Sequence, residues 1–188
     1  HTVAQAFDYD HMGRLLETRQ KMDDEQEVVL ARHEYNELGQ LVDKRLHSTE
    51  FQLTDGLRTY LQSVDMRYNI RGWLASINNR SLSEDGANND QGQARFADLF
   101  GLELKYNSDY HVEPGRAGFF NGNIAEALWQ SFTDRTLRGY AYSYDKANRL
   151  TSGVYKAYTP TGTAAGWTAE LNNHSVRDIA YDANGNIE

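Results

Sequence analysis

His33 and Glu34 stand together as they would at the start of a zinc-protease helix, where an imidazole ligand precedes the general base and a second imidazole follows four positions after the first. Position 37 is Glu, so that second ligand is missing, and the flanking residues alternate as a strand would. Asp182-Ala-Asn-Gly-Asn186 places oxygen-bearing side chains at alternate positions, as a calcium loop begins, yet the sequence ends at Glu188, before a twelfth-position Glu could close it. The acidic pairs Asp23/Asp24 and Glu25/Glu27 have the residue types of a glycosidase dyad, and solvated charge in a short acidic run explains them more simply. Trp73, Trp129 and Trp167 could stack on sugar rings, although packing between strands is the simpler role for an indole. No Gly-x-Ser-x-Gly elbow and no phosphate-cradling glycine loop occurs. The expectation is a chain without catalytic residues, metal or cofactor.

A repeat carries more information than any of these. Five times a tyrosine is followed at once by Asp or Asn and, six residues on, by an aliphatic residue: Tyr9-Asp10 with Leu15, Tyr35-Asn36 with Leu41, Tyr68-Asn69 with Leu74, Tyr144-Asp145 with Leu150, and Tyr181-Asp182 with Ile187. Copies of one supersecondary unit define a fold before any single motif does. Within each copy the residue types suit a turn. Asp or Asn at the first turn position bonds the backbone two residues on, and Gly at the fourth accepts a positive φ without steric cost. Gly13, Gly39, Gly72 and Gly185 occupy that fourth position, and Asn148 replaces glycine in the remaining copy, asparagine being the next-best residue for a left-handed conformation. A type I turn followed by such a residue closes a β-hairpin with a bulge, leaving the tyrosine at the end of one strand and the aliphatic residue early in the next.

The elements that must hold these turns are strands. Tyr140, Tyr142 and Tyr144 alternate with Ala141 and Ser143, and Leu150, Ser152 and Val154 alternate on the return; Val64, Met66 and Tyr68 share parity ahead of the third turn. The best helix candidates are 95–100 and 124–132, and in this context both also read as strand or irregular structure. An antiparallel all-β sheet of repeated hairpins is expected. The 188 residues contain 39% hydrophobic residues with a mean hydropathy of -0.74, and twelve tyrosines supply much of the large side-chain area. A thin aromatic core and a sheet with one wet face follow. A net charge of -8 argues against nucleic acid as a partner. No apolar run approaches the ~20 residues of a membrane helix, and the absence of cysteine excludes disulfides and thiolate chemistry.

From tyrosine to tyrosine the copies are 26, 33, 76 and 37 residues apart. The long gap opens with a polar stretch, 78–93, that reads as a loop insertion. It also contains Tyr106-Asn107, which divides the gap into 38 and 38, and Phe120-Asn-Gly-Asn-Ile124, which reads as a turn two residues shorter than the others. The last turn has no room for a full return strand before Glu188, so an excised stretch of a longer repeat protein, a single repeat region over 1–188, is expected. Its strand edges, near Phe7 and near Tyr181, are expected to offer weak edge-strand self-association.

Tyr-Asp-x-x-Gly-Arg-Leu, as in Tyr9 to Leu15, resembles the YD repeat of the Rhs (rearrangement hotspot) family, whose relatives include insecticidal toxin-complex subunits, wall-associated bacterial proteins and animal teneurins. The segments 67–74, 98–107 and 120–124 are similar to Rhs-type sequences as well, so the resemblance covers nearly the whole chain from Phe7. It implies a long strip of hairpins that spirals into a hollow shell, a bacterial extracellular or cell-surface location, the remainder of the same polypeptide as partner, and in toxin-bearing relatives an encapsulated C-terminal effector. Gln40, Trp73 and Asn186 depart from the arginine that follows the turn glycine, which leaves the hairpin logic intact. The proline- and aspartate-rich closing segment tied to self-cleavage in relatives does not occur, and only Pro114 and Pro160 are present, so self-cleavage is not carried over. The expected function is a non-catalytic structural segment; the alternative is a carbohydrate- or protein-binding surface module using exposed aromatics.

Overall fold

The computed structural model describes residues 1–48, 60–82, 98–160, 166–169 and 174–188. Eleven strands form one antiparallel sheet in sequence order, and the described residues contain no helix. They are β1 (Val3–Tyr9), β2 (Leu15–Met22), β3 (Val28–Tyr35), β4 (Leu41–Ser48), β5 (Gln62–Tyr68), β6 (Leu74–Ile77), β7 (Phe100–Lys105), β8 (Glu126–Ser131), β9 (Arg138–Tyr144), β10 (Leu150–Thr159) and β11 (Gly166–Thr168). Because each strand pairs with its sequence neighbours, every tyrosine-bearing turn falls on one rim of the sheet. The connections of variable length fall on the other.

Neither stretch offered as a helix candidate is helical in its described residues. Residues 126–131 form β8, where Leu128 is fully buried and Trp129 points to the opposite face, an alternation that period 2 imposes and a helix could not satisfy. Phe100 opens β7, and 95–97 lie outside the described residues. The loop proposed at 78–93 is described only as far as Leu82, where Asn78 and Leu82 adopt positive φ of 50° and 55°.

The four complete short hairpins share a register slip at one place. Tyr9 pairs with Leu15, Tyr35 with Leu41, Tyr68 with Leu74 and Tyr144 with Leu150, and each pairing is preceded by a shift of one residue. The extra residue lets tyrosine and leucine face the same side while the strands before them keep their alternation. The fifth short turn goes further than expected: Tyr181 bridges to Ile187, and the Glu188 N–H donates to the Ala180 carbonyl at 3.1 Å, so the return strand begins to pair within two residues. Its outgoing partner is an interrupted edge strand. β11 pairs with the far end of β10, Val176 bridges to Gly153, and the Ile179 N–H reaches Thr151 O.

The sheet has two unlike faces. One carries the repeat tyrosines, Tyr140, Tyr142 and Tyr155 with Leu102, Leu104 and Trp129. The other carries Glu34, Asp43, Arg45, Ser63, Asp65 and Arg67 toward the N-terminal end and changes to Leu128, Ala141 and Val154 toward the C-terminal end. The apolar core sits on that second face, where Val112, Leu128, Ala141 and Val154 pack together under Trp167.

Candidate functional site

The repeated turns are built from the same hydrogen bonds. In each, the Asp or Asn carbonyl accepts from the fourth-position N–H and its own N–H donates to the carbonyl two residues before the bulge: Gly13 to Asp10 (3.0 Å) and Asp10 to Arg14 (3.0 Å), with equivalents at 36–40, 69–73, 145–149 and 182–186. The side-chain oxygen caps two further N–H groups. Asp10 Oδ1 accepts from Met12 (2.8 Å) and Arg14 (2.9 Å), and Asn36, Asn69, Asp145 and Asp182 do the same in their own turns. The fourth residue has φ of 78°, 79°, 77°, 62° and 86° at Gly13, Gly39, Gly72, Asn148 and Gly185. The other side-chain atom of the Asx residue meets the residue after the glycine. Asp10 and Asp145 hold Arg14 and Arg149 (2.6 and 2.7 Å), Asp182 accepts from Asn186, and Asn36 donates to Gln40. The backbone N–H of Arg14 and of Arg149, and the Asn186 amide, hold the carboxyls of Asp10, Asp145 and Asp182 respectively below their ordinary range.

Consecutive units are locked to one another by the tyrosines. Each tyrosine hydroxyl donates to the carbonyl of the aliphatic residue in the preceding unit: Tyr35 to Leu15 (3.0 Å), Tyr68 to Leu41 (2.9 Å), Tyr106 to Leu74 (2.8 Å), Tyr144 to Ile124 (2.9 Å) and Tyr181 to Leu150 (2.7 Å). At three junctions the residue after the turn's fourth position also covers the next tyrosine's ring. The Arg14 guanidinium lies 4.8 Å from the Tyr35 centroid and that of Arg149 4.5 Å from Tyr181, while Trp73 meets Tyr106 at 5.1 Å. Arginine and tryptophan are thus alternative solutions to one packing task, which explains the departure at Trp73. Burial pushes the Tyr106 and Tyr144 phenols above their usual range.

This ladder also exposes a sixth unit. Tyr106 and Ile124 play the tyrosine and aliphatic roles of one hairpin, β7–β8, although they stand eighteen residues apart. Phe120 to Ile124 makes a local turn, in which Asn121 Oδ1 accepts from the Asn123 N–H at 3.1 Å and Gly122 has φ of 99°, but closes no hairpin of its own; it is the returning end of an insertion within the fourth unit. The inserted strap folds back over the second face. The buried Glu126 carboxylate accepts from the His111 and Glu113 N–H groups (2.7 and 2.9 Å), Lys156 donates to Val112 O (2.8 Å), and Arg116 reaches Tyr142 O. Val112 is thereby driven into the core. Gly139 leaves the room, since a Cβ there would lie 2.5 Å from Val112 Cγ2 and 2.7 Å from Leu128 Cδ2.

The remaining candidates are dispersed. His33 and Glu34 are neighbours on β3 and so face opposite sides: His33 lies opposite Lys44, its imidazole pushed below its ordinary range by burial and then by Lys44, and Glu34 pairs with Arg45 at 3.0 Å. Glu37 is exposed in its turn. Asp182 spends its oxygens on its own turn. Asp23 accepts from the Thr2 N–H and His1, and Glu27 faces Arg19. Among the described residues no three His, Asp or Glu side chains are placed to hold a metal ion. The three tryptophans do not converge. Trp129 is stacked on Tyr140 (5.6 Å, 20°), which is stacked in turn on Tyr142; Trp73 has Tyr106, the Arg71 guanidinium and Gly122 against it; Trp167 lies on the other face against the apolar core. Each indole thus has neighbouring groups of the chain against it, while none of the three is fully buried.

No family model matches the chain, and no curated protein matches it in sequence. Among solved structures it is similar to a chain of the Photorhabdus luminescens Tc holotoxin pore, with 15% identity and a TM-score of 0.38. That match covers 99% of this chain and 11% of the other, so this chain spans about a ninth of its length.

Proposed function

We propose that this chain is a structural stretch of an Rhs/YD-repeat protein, a single repeat region that forms part of a β-shell and performs no chemistry of its own. The observation that carries the reading is the tyrosine ladder: one hydrogen bond, reproduced between all successive units and joined by a ring contact at three of the five junctions, is what a wall built from tandem hairpins needs. In this reading the partners are the remainder of the same polypeptide and an effector enclosed by the shell, and the location is the bacterial surface or exterior. The outer edge of β1, where Phe7 and Tyr9 are exposed, is where a further hairpin, or weakly a second copy, would add.

Electron cryomicroscopy of the complete gene product tests this. The expected image is a hollow wall in which another hairpin abuts β1, its aliphatic residue's carbonyl within hydrogen-bonding distance of the Tyr9 hydroxyl. A freestanding sheet with solvent along β1 would overturn the proposal. A glycan array on the purified chain tests the binding-module alternative; reproducible binding abolished by Trp129→Ala would replace the shell reading.

A further inference from the structure

Asn-Gly occurs twice in the chain, at Asn121-Gly122 and Asn184-Gly185. In that pair the asparagine amide is open to attack by the backbone nitrogen that follows it, since glycine puts no Cβ in the way. Both asparagines are exposed, and both glycines have positive φ, 99° and 86°. Their hydrogen bonds differ. Asn121 Oδ1 accepts from the Asn123 N–H at 3.1 Å, a bond that folds the side chain back over Gly122, so that Cγ and the Gly122 nitrogen lie within one hydrogen-bonded ring. Among the described residues the Gly122 N–H has no acceptor. At the other pair the Gly185 N–H donates to the Asp182 carbonyl at 3.1 Å. The Asn186 N–H, which would fold the Asn184 side chain in the same way, is held by Asp182 Oδ1 at 2.8 Å.

We infer that Asn121 is a site of self-modification by water, passing through a succinimide to aspartate and isoaspartate, while Asn184 is protected by its turn. The Gly122 nitrogen gives its proton to hydroxide and bonds to Cγ, and the Asn123 N–H holds the oxyanion that forms on Oδ1. The Cγ–Nδ2 bond then breaks, and Nδ2 leaves as ammonia with a proton from water. A second water opens the ring at either carbonyl carbon, so the sum is one water consumed and one ammonia released, with no change of oxidation state. The product matters because Asn121 Nδ2 donates to Asn148 Oδ1 at 2.7 Å, joining the returning end of the insertion to the left-handed residue of the 145–149 turn. A carboxylate there has no proton to donate and faces an acceptor; the Asn123 Nδ2 bond to the same oxygen, at 3.2 Å, is left to hold the junction. Gly122 also lies against the Trp73 indole, where a Cβ would meet Cζ2 at 3.2 Å, so the extra main-chain carbon of isoaspartate disturbs the contact with the third turn. The inference is independent of the shell reading and survives if that reading fails.

The test is mass-spectrometric peptide mapping of the intact chain after timed incubation in mildly alkaline, heavy-oxygen water. Conversion at Asn121, with uptake of heavy oxygen, is expected about fivefold faster than at Asn184, the factor set by the backbone hydrogen bond that must first break at Gly185. In urea, where both turns are lost, the two rates should converge. Asp182→Ala gives a second reading: it releases the Asn186 N–H and should raise the rate at Asn184 toward that at Asn121, which stays unchanged. No conversion at Asn121, conversion at Asn184 as fast or faster in the folded parent, a ratio that persists in urea, or an unchanged rate at Asn184 in Asp182→Ala would overturn the inference.

Discussion

Gly39→Val probes the turn on which the repeat rests. Gly39 has φ of 79°, and a Cβ placed there would meet one atom closely, Arg14 Nη1 at 3.3 Å. That atom ends a flexible side chain and can move aside, so the cost is almost entirely conformational. A left-handed L-residue costs about 1–2 kcal/mol, and valine's branched Cβ takes the upper end, so about 2 kcal/mol is expected. Gln40→Val, one residue later, leaves the backbone unstrained and loses a 2.8 Å bond from Asn36 Nδ2 at a half-exposed site, about 0.5 kcal/mol. For a domain of this size each kcal/mol moves the thermal midpoint by about 2–4 °C, so the two variants should fall by about 4–8 °C and about 1–2 °C. Urea titration with unchanged m-value checks that the native state, and not the unfolded ensemble, is affected. Coincident midpoints for the two variants would refute the reasoning, because Gln40 carries no positive-φ backbone whose strain could match that of the glycine.

Tyr68→Phe deletes the donor to Leu41 O and should cost about 1 kcal/mol, whereas Tyr9→Phe, at an exposed hydroxyl, should leave the urea midpoint unchanged. The carboxyls of Asp10, Asp145 and Asp182 lie below their ordinary range, and the Arg138 guanidinium brings Asp134 down to about 2. Groups depressed on folding stabilise the native state above their unfolded value, near 4, and lose that contribution as pH falls through the folded value. The thermal midpoint should therefore fall between pH 4 and pH 2, and Asp134→Asn should flatten that fall. Asp43, raised by burial, works in the opposite sense and makes the decline shallower than those four carboxyls alone would give. Gly139→Ala forces a methyl against Val112 and Leu128 and should cost about 1–3 kcal/mol by overpacking, with faster amide exchange at His111 and Glu113 as the strap is displaced.

The turns were legible in the sequence because their information is local: Asp or Asn, Gly or Asn148, and the flanking tyrosine and leucine all lie within seven residues. The strands followed, since alternation is also local. The sixth unit was hidden because Tyr106 and Ile124 are separated by an insertion, and no short-range pattern joins them. Its only sequence trace was the division of the long gap into two equal parts at Tyr106. Glu126 and Gly139 carried no signal at all, as their roles depend on a strap arriving from elsewhere in the chain. The interchangeability of Arg14, Trp73 and Arg149 was likewise invisible, because the ring each one covers belongs to the next unit.

The tyrosine ladder has a direction. In every lock the donor belongs to the later unit and the acceptor carbonyl to the earlier one, so a chain made on the ribosome presents each finished hairpin as a template before the side chain that grips it has been synthesised. Folding can then advance as a ratchet, one unit per step, with loop closures that stay short however long the strip becomes. The same arrangement sets a rule for mutation and for engineering. Whole units can be inserted or removed between a carbonyl and the tyrosine that follows it without changing either joining surface, whereas a cut inside a unit leaves a grip with nothing to hold.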